Sequence, residues 1–410
     1  MIKIFYELSE PFLSLKNRLF ARLYLAQTIS LLGDAFTWVG LALLAFQFGA
    51  ERSAVILASA LTLRVITFII FSPFAGVLAD RIDRKKILYT THFIRMAIVC
   101  CLGFISEEWQ IYVLVFFLNV FNAFFTPTYK SVIPQIVDKG IYRHAIGLST
   151  ATYQLLGILG PALAGILAIW LGVKDIFFVD AFSFIISGIL IITLPGDLIR
   201  KKDADEEPLS TWQDVVKGAR LLFSNKLLQF ALFIEFVSAI AGAQILVNTI
   251  GYVKGNLHLT DKHYGIVMSA FGIGAAIAAF FSGAIDKSKS RKTSLVVGAL
   301  VLGAAILSIN YVNNFYWLIT CWVFAGLGQS LAEIPSEILI GENIPDREQG
   351  KVYGSHFAFS HLWWAIAYPV AGYLGTKFPE NEFFFGGLLT LLLVAVSLLL
   401  FRTSRSKPIE

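Results

Sequence analysis

The sequence predicts an all-α membrane protein whose twelve transmembrane helices form two related six-helix bundles. Three observations predict it. The first is composition: of 410 residues, 57% are hydrophobic and 15% charged, with a mean hydropathy of +0.71. A soluble globular chain carries about 45–50% apolar and about 25% charged residues. The second is a repeated loop. Gly76-Val77-Leu78-Ala79-Asp80-Arg81-Ile82-Asp83-Arg84-Lys85-Lys86 follows an apolar run, and a degraded copy, Gly283-Ala284-Ile285-Asp286-Lys287-Ser288-Lys289-Ser290-Arg291-Lys292, returns 207 residues later. The third is one-sided charge. With both termini cytoplasmic, five of the 33 Lys and Arg (Arg52, Lys174, Lys254, Lys262, Lys377) fall in outer loops and three (Arg64, Arg95, Lys130) within spans, leaving 25 in cytoplasmic segments. The positive-inside rule rejects the opposite orientation.

A helix needs roughly 20 apolar residues to cross a bilayer. Taken in order, and within about four residues at each end, the spans are 19–48, 54–80, 87–106, 109–137, 145–172, 175–195, 227–253, 263–285, 292–312, 315–342, 351–376 and 383–402. All are too long and too continuously apolar for strands. Residues 1–18 form a cytoplasmic lead-in, with Lys16, Arg18 and Arg22 at the entrance to the first span. They lack the small-residue cleavage site of a signal peptide. The one sizeable connection, 196–226, opens with Arg200-Lys201-Lys202, an acidic patch Asp203–Glu207 and Pro208. A capping box follows at Ser210-Thr211-Trp212-Gln213. Trp212, Val215, Val216, Ala219, Leu222 and Phe223 then recur at helical spacing, which predicts an amphipathic helix on the cytoplasmic membrane surface. The chain therefore divides into a bundle over 1–195, a linker over 196–226 and a second bundle over 227–410. Cys100, Cys101 and Cys321 sit in apolar spans without a CxxC pair, and all three are expected to pack in the interior.

The halves match beyond the loop. Pro127 in the fourth span corresponds to Pro335 in the tenth at an offset of 208, and the stretch Asp138 to Gly147 corresponds to Asp346 to Ser355. The repeated loop resembles the signature loop between helices 2 and 3 of the major facilitator superfamily, with its partner between helices 8 and 9. That resemblance implies two bundles rocking about a midplane site. It also implies a conformational gate of Gly76, Asp80, Arg81, Arg84 and Asp286, with Asp80 meeting the eleventh span near Gly350–Gly354, where a helix N-terminus favours an anion. The run Gly157-Ile158-Leu159-Gly160-Pro161-Ala162-Leu163-Ala164-Gly165 resembles the antiporter motif of the superfamily's exporters, through Gly157, Gly160, Pro161 and Gly165, although Ala164-Gly165 stands where many exporters have a Gly pair. Small residues there permit close helix packing. The resemblance implies export rather than import.

Ionisable groups inside spans cost about 2.5–3.5 kcal/mol each on insertion and are functional candidates by default. Asp34 leads, about 22 Å along the first helix and so near the midplane. Burial favours the neutral form of a carboxylate, which suits a group that takes and releases protons. Its context, Ser30-Leu31-Leu32-Gly33-Asp34, is similar to the first helix of the macrolide-efflux and siderophore-exporter branch of drug:proton antiporters. Arg64 is the expected partner of Asp34 or an anion contact, and Arg95 is expected to reach toward the cytoplasm or contact substrate. Glu235 and Glu333 are expected to join Asp34 in an acidic cavity that attracts cations; Glu337, one turn from Glu333, is expected to be solvated. His356 and His361 are candidates for a proton relay, alongside the bland reading of helix hydrogen bonding, and His361 is the one retained. Phe36, Trp38, Trp363 and Trp364 offer aromatic faces. Lys130 looks interfacial, although a lysophospholipid transporter family carries a similar run there.

Several functions are excluded or disfavoured. No GxxxxGK[ST] occurs, so ATP does not drive the protein, and Gly272-Ile273-Gly274 lies inside a span, where it serves helix packing. No cluster has metal-ligand spacing, no nucleophile has its base, and no cofactor is implied. The scattered basic residues do not form a nucleic-acid surface. The reading is a monomeric, multi-pass inner-membrane transporter, not an enzyme. It exports a small amphipathic molecule, drug-like or siderophore, against protons. The alternatives are a lysophospholipid transporter and a non-transporting membrane sensor.

Overall fold

A computed structural model describes residues 10–138, 141–194, 211–285, 291–311 and 314–401. Among them lie thirteen α-helices: α1 (Arg18–Gln47), α2 (Ala50–Arg81), α3 (Arg84–Leu102), α4 (Glu108–Ile136), α5 (Tyr142–Trp170), α6 (Val173–Ile192), α7 (Thr211–Ser224), α8 (Lys226–Gly251), α9 (Asp261–Ile285), α10 (Arg291–Ser308), α11 (Phe315–Asn343), α12 (Asp346–Lys377) and α13 (Glu382–Leu400). Every one except α7 corresponds to an expected span, and the described residues contain no strand. By length and composition alone, eight are apolar enough to cross a membrane. α3 is not among them, carrying Lys85 and Lys86 at its start and Arg95 within; His92 and Arg95 on α3, and His356 on α12, are buried.

Local chemistry sets the helix starts. Asp83 caps α3 by accepting from the Lys85 amide at 2.9 Å. Asn225 does the same for α8 from Leu227 at 2.8 Å, and Asn314 for α11 from Tyr316 at 2.8 Å. Each satisfies a donor that the first helical turn leaves open. Between α1 and α2 the chain reverses at Gly49, whose φ of +113° only glycine takes without strain. Pro127, Pro134, Pro335 and Pro369 all lie inside helices; in a bundle, neighbouring groups can satisfy the backbone that a proline frees. Large apolar side chains such as Phe104, Trp170, Phe182 and Leu399 are exposed, the outer surface of a protein solvated by lipid rather than water.

The chain forms two compact units. The first comprises residues 1–41 and 66–202; the second comprises 42–65 and 203–410. In the first, Phe20, Leu23, Leu88, Phe125, Val132 and Ile191 form the core where α1, α3, α4 and α6 meet. In the second, α11 packs tightly on α9 and α10. A Cβ on Gly274 would collide with the Val323 carbonyl, and one on Gly326 with that of Phe271. Gly274 thus serves close helix contact, as the sequence predicts. The start of α2 also belongs to the second unit: a Cβ on Gly372 of α12 would lie 2.6 Å from that of Ala58.

Two expectations are corrected here. Cys321 is buried, but Cys101 is exposed and Cys100 only partly covered; one face of α3 points outward, and a thiol is apolar enough to sit there. The amphipathic helix α7 is also more than a surface segment. Its Gly218 lies against the backbone of Lys351 on α12, and Phe223 packs edge-on against Phe359 with ring centroids 4.9 Å apart. Leu222 is buried, because a partly apolar face finds protein before it finds lipid. Trp212, Val215 and the Ser210 capping box lie outside the described side chains.

Lys217 of α7 also bonds Glu348 of α12 at 2.7 Å, and Lys351 adds a second contact at 3.2 Å. The Lys217 hydrogen bond holds the Glu348 carboxyl below the usual range. A depressed carboxylate contributes above its unfolded value and loses that contribution as pH falls through the folded one. Hydrogen exchange of α7 amides, corrected for intrinsic rates, is expected to stay flat from about pH 7 to pH 5 and to rise only below about pH 4. A rise already at pH 6 would assign the attachment to other groups.

Candidate functional site

In the first unit, Asp34 of α1 meets Arg95 of α3. One Arg95 nitrogen, Nη2, donates to both carboxylate oxygens, at 2.8 Å to Oδ1 and 2.9 Å to Oδ2. The Arg95 side chain is 1% exposed and that of Asp34 21%, so solvent reaches the pair only from the carboxylate side. The guanidinium lies 4.1 Å from the centroid of Phe184 and 5.5 Å from that of Phe125, which stabilises the cation through the ring faces. Arg95 Nε has no protein partner.

A second carboxylate shares the cluster. Asp180 of α6 is completely buried. It accepts from Thr37 Oγ1 at 2.5 Å and from Ser183 Oγ at 3.0 Å, and the charges of Asp34 and Arg95 both act on it. Gly33 makes this possible: a Cβ there would overlap the Asp180 carboxylate and the Ser183 hydroxyl. The Gly33-Asp34 dipeptide therefore has two linked roles, letting α1 approach α6 and placing the carboxylate on Arg95. His92, one turn before Arg95, is fully buried with neither ring nitrogen bonded. Its ring centroid is 4.6 Å from that of Phe125. Asp34 is thus paired with Arg95, while the buried Asp180 beside it is held by two hydroxyl donors.

Arg64 is not the partner expected for Asp34. The arginine that Asp34 meets is Arg95. Nor does Arg95 reach toward the cytoplasm; its pairing with Asp34 and its two aromatic neighbours hold it inside. Asp180 escaped the sequence reading, although a carboxylate inside the sixth span is itself the signal that marks such residues.

The second unit holds Glu235 of α8, whose Oε1 lies 2.8 Å from His356 Nε2 of α12. Both residues are about nine-tenths buried. Glu333 of α11 accepts from Gln329 one turn earlier. His361 Nδ1 lies 2.8 Å from the Phe357 carbonyl, and it is His356 that meets the Glu235 carboxylate. Asp34 and Glu235 each have a basic partner, Arg95 and His356, because a buried charge is stabilised by pairing.

The other sequence motifs fall as follows. Gly160 is buried, and a Cβ on it would lie 2.7 Å from that of Ala35 on α1; Gly165 is also buried, while Gly157 is exposed with nothing within 4 Å. Gly157→Ala is expected to change thermal stability by under about 0.5 kcal/mol, and Gly160→Ala to cost about 1–3 kcal/mol by overpacking. Equal effects in a melting experiment would contradict the packing role of Gly160. Arg84 is buried and donates to the Ser131 carbonyl at 2.9 Å. The side chains of Gly76, Asp80, Arg81 and Pro161, and the whole of Asp286, lie outside the described residues. Lys130 is exposed in the second half of α4.

Sequence comparison decides the family. The pattern described as Major Facilitator Superfamily matches residues 23–247 and 232–410. The chain belongs to the major facilitator superfamily. Among its relatives, the uncharacterized MFS-type transporter YfiS of Bacillus subtilis (strain 168) is 27% identical, covering 80% of each chain. Macrolide efflux protein A of Streptococcus pyogenes is 24% identical, covering 88% of this chain and 89% of its own. The staphyloferrin A transporter of Staphylococcus aureus (strain NCTC 8325 / PS 47) is 23% identical over 77% and 80%. These relatives bear out the resemblance to the macrolide-efflux and siderophore-transporter branch.

Solved facilitators share the fold. The nucleoside transporter NupG superposes with a TM-score of 0.72 at 11% identity, covering 94% of this chain and 100% of that one. A bacterial homologue of the human lysosomal transporter Spinster, inward-facing and unoccupied, gives 0.70 at 13% identity, covering 94% and 97%. This facilitator is therefore a multi-pass membrane transporter.

Proposed function

We propose that this facilitator exports a small amphipathic molecule, drug-like or a siderophore, in exchange for protons, with both termini cytoplasmic. The observation that carries the coupling step is the Asp34–Arg95 pair with the buried carboxylate of Asp180 beside it. In one charge state Arg95 neutralises Asp34, and the cluster's remaining negative charge is balanced by a bound proton. Substrate or a proton arriving on the exposed side of Asp34 competes for that carboxylate and frees the guanidinium. Thr37, one turn after Asp34 and bonded to Asp180, ties any change at Asp34 to α6. A proton moving down about 100 mV contributes roughly 2.3 kcal/mol, enough to sustain a tens-fold substrate gradient. The relative named for macrolide efflux supports the direction, and it and the staphyloferrin A transporter support the substrate class.

The test compares small molecules and lipids inside and outside cells that lack the protein, overproduce it, or overproduce Asp34→Asn. Export predicts a compound that leaves cells with the wild type and stays inside with the variant. A change confined to lysophospholipid composition would replace the exporter with a lipid transporter. No change in either would contradict transport.

A further inference from the structure

In the second unit, a buried carboxyl group without a cation stands at the start of α13. The four residues that join α12 to α13, 378–381, are all exposed, and the next one, Glu382, is only 3% exposed. Its Oε2 is buried with no hydrogen-bond partner, and it makes no ion pair among the described residues. An ionised carboxyl held in this way is costly. The start of a helix favours an anion, but a partial charge does not offset the full desolvated one.

The exposed residues before it form a strap tied down at two points. Asn256, just past the end of α8, donates from Nδ2 to the Pro379 carbonyl at 3.0 Å. Asn310, just past the end of α10, donates to the Glu380 carbonyl. On the other side of Glu382, Phe383 is fully buried. It packs edge-on against Trp322 of α11 and Tyr252, with ring centroids 5.3 Å and 5.4 Å apart. Seating the strap and burying the carboxyl are therefore one event. The groups facing the carboxyl supply no positive charge. Glu380 of the strap and Tyr252 interact with it electrostatically, and Cys321 of α11 acts on Tyr252 in turn. Lys254, two residues beyond Tyr252, is taken by Asp261, and Lys377, at the end of α12, is exposed.

We infer that Glu382 and the strap over residues 378–381 form a pH-operated latch, closed while the carboxyl is protonated and opened when it ionises. On opening, the carboxyl O–H bond breaks, the proton passes to bulk water, and the carboxylate is hydrated as the strap lifts. Water then replaces the bonds from Asn256 and Asn310. The closed form holds one proton more than the open form, so closure is favoured at low pH and lost as pH rises. Above the ordinary carboxylate range, opening grows by up to tenfold per pH unit. With both termini cytoplasmic, as proposed, this end of the second unit faces outward, and external acidity holds the ends of α8, α10 and α13 together. The latch uses none of the residues proposed to couple transport.

The test is hydrogen exchange of the amides over 378–385, corrected for intrinsic rates, in the purified full chain in lipid nanodiscs between about pH 5 and pH 8. Protection in the wild type is expected to fall about tenfold or more across that range. Glu382→Gln, whose amide stands in for the neutral carboxyl, is expected to keep the acid level of protection throughout. Glu382→Met covers the case in which the glutamine variant fails to fold, and is expected to be equally flat. Glu380→Gln, at an exposed position, is expected to retain the wild-type slope. All variants are checked by gel filtration and melting temperature. A flat wild type, a slope in a folded Glu382 variant, or a slope lost in Glu380→Gln overturns the latch. Replacing sodium by N-methylglucamine at fixed pH is expected to change nothing; protection that requires sodium would assign the carboxylate to a metal ion and overturn the proton latch. Because the readout is backbone opening, it stands or falls apart from export.

Discussion

Arg95→Met will abolish transport and destabilise the first unit, and adding Asp34→Asn will return most of the stability without returning transport. Methionine fits the space between Phe125 and Phe184, so the main loss is charge. Removing one member of a buried pair costs about 3–5 kcal/mol, because the other is left uncompensated. Asp34 retains some contact with solvent, its side chain being 21% exposed, which places the single variant toward the lower end of that range. In the double variant both replacement side chains are neutral, and Asp180 keeps its two hydroxyl donors. Replacing a buried ion pair by neutral groups is often nearly neutral in stability. A transport function for the pair therefore separates from a structural one. Thermal unfolding should recover in the double variant while export stays at background. Recovery of both would make the pair a structural staple.

Gly33→Ala should cost about 1–3 kcal/mol and lower export far more than its size suggests. The new methyl would occupy the space of the Asp180 carboxylate and the Ser183 hydroxyl. α1 can accommodate it only by moving from α6, which breaks the Thr37–Asp180 bond and shifts Asp34 from Arg95. A 1 Å displacement of positioned groups is enough to cost about 100-fold in a rate. The check is melting temperature and export rate in the same preparation. Normal export by a folded Gly33→Ala protein would show that the α1–α6 contact does not position the coupling groups.

The sequence made much of this legible, and the reasons are physical. Span length, basic sidedness and the loop repeated at Gly76 and Gly283 are one-dimensional signals, and they foretold each long helix of the facilitator fold. Asp34 was legible because a carboxylate deep in an apolar helix has few structural excuses. Its partner was not. Arg64 and Arg95 are both arginines within spans, and helix rotation, which sequence periodicity defines poorly in uniformly apolar helices, decides which one faces Asp34. The same ambiguity hid the outward face of Cys101 and the choice of His356 over His361. Asp180 was missed although a carboxylate within the sixth span carries the same signal, and only the structure shows Thr37 and Ser183 enclosing it. The seating of α7 on α12 depends on Gly218, whose lack of a side chain matters only once the neighbouring backbone is known.

The most direct test of coupling at Asp34 uses inside-out vesicles carrying an imposed pH gradient and a pH-sensitive dye. The compound whose extracellular level follows expression is added. Wild-type vesicles should lose the gradient as the compound enters, and Asp34→Asn vesicles should hold it. If the Asp34→Asn protein discharges the gradient at the wild-type rate while moving the same compound, protons travel by another route and the Asp34–Arg95–Asp180 cluster does not couple them.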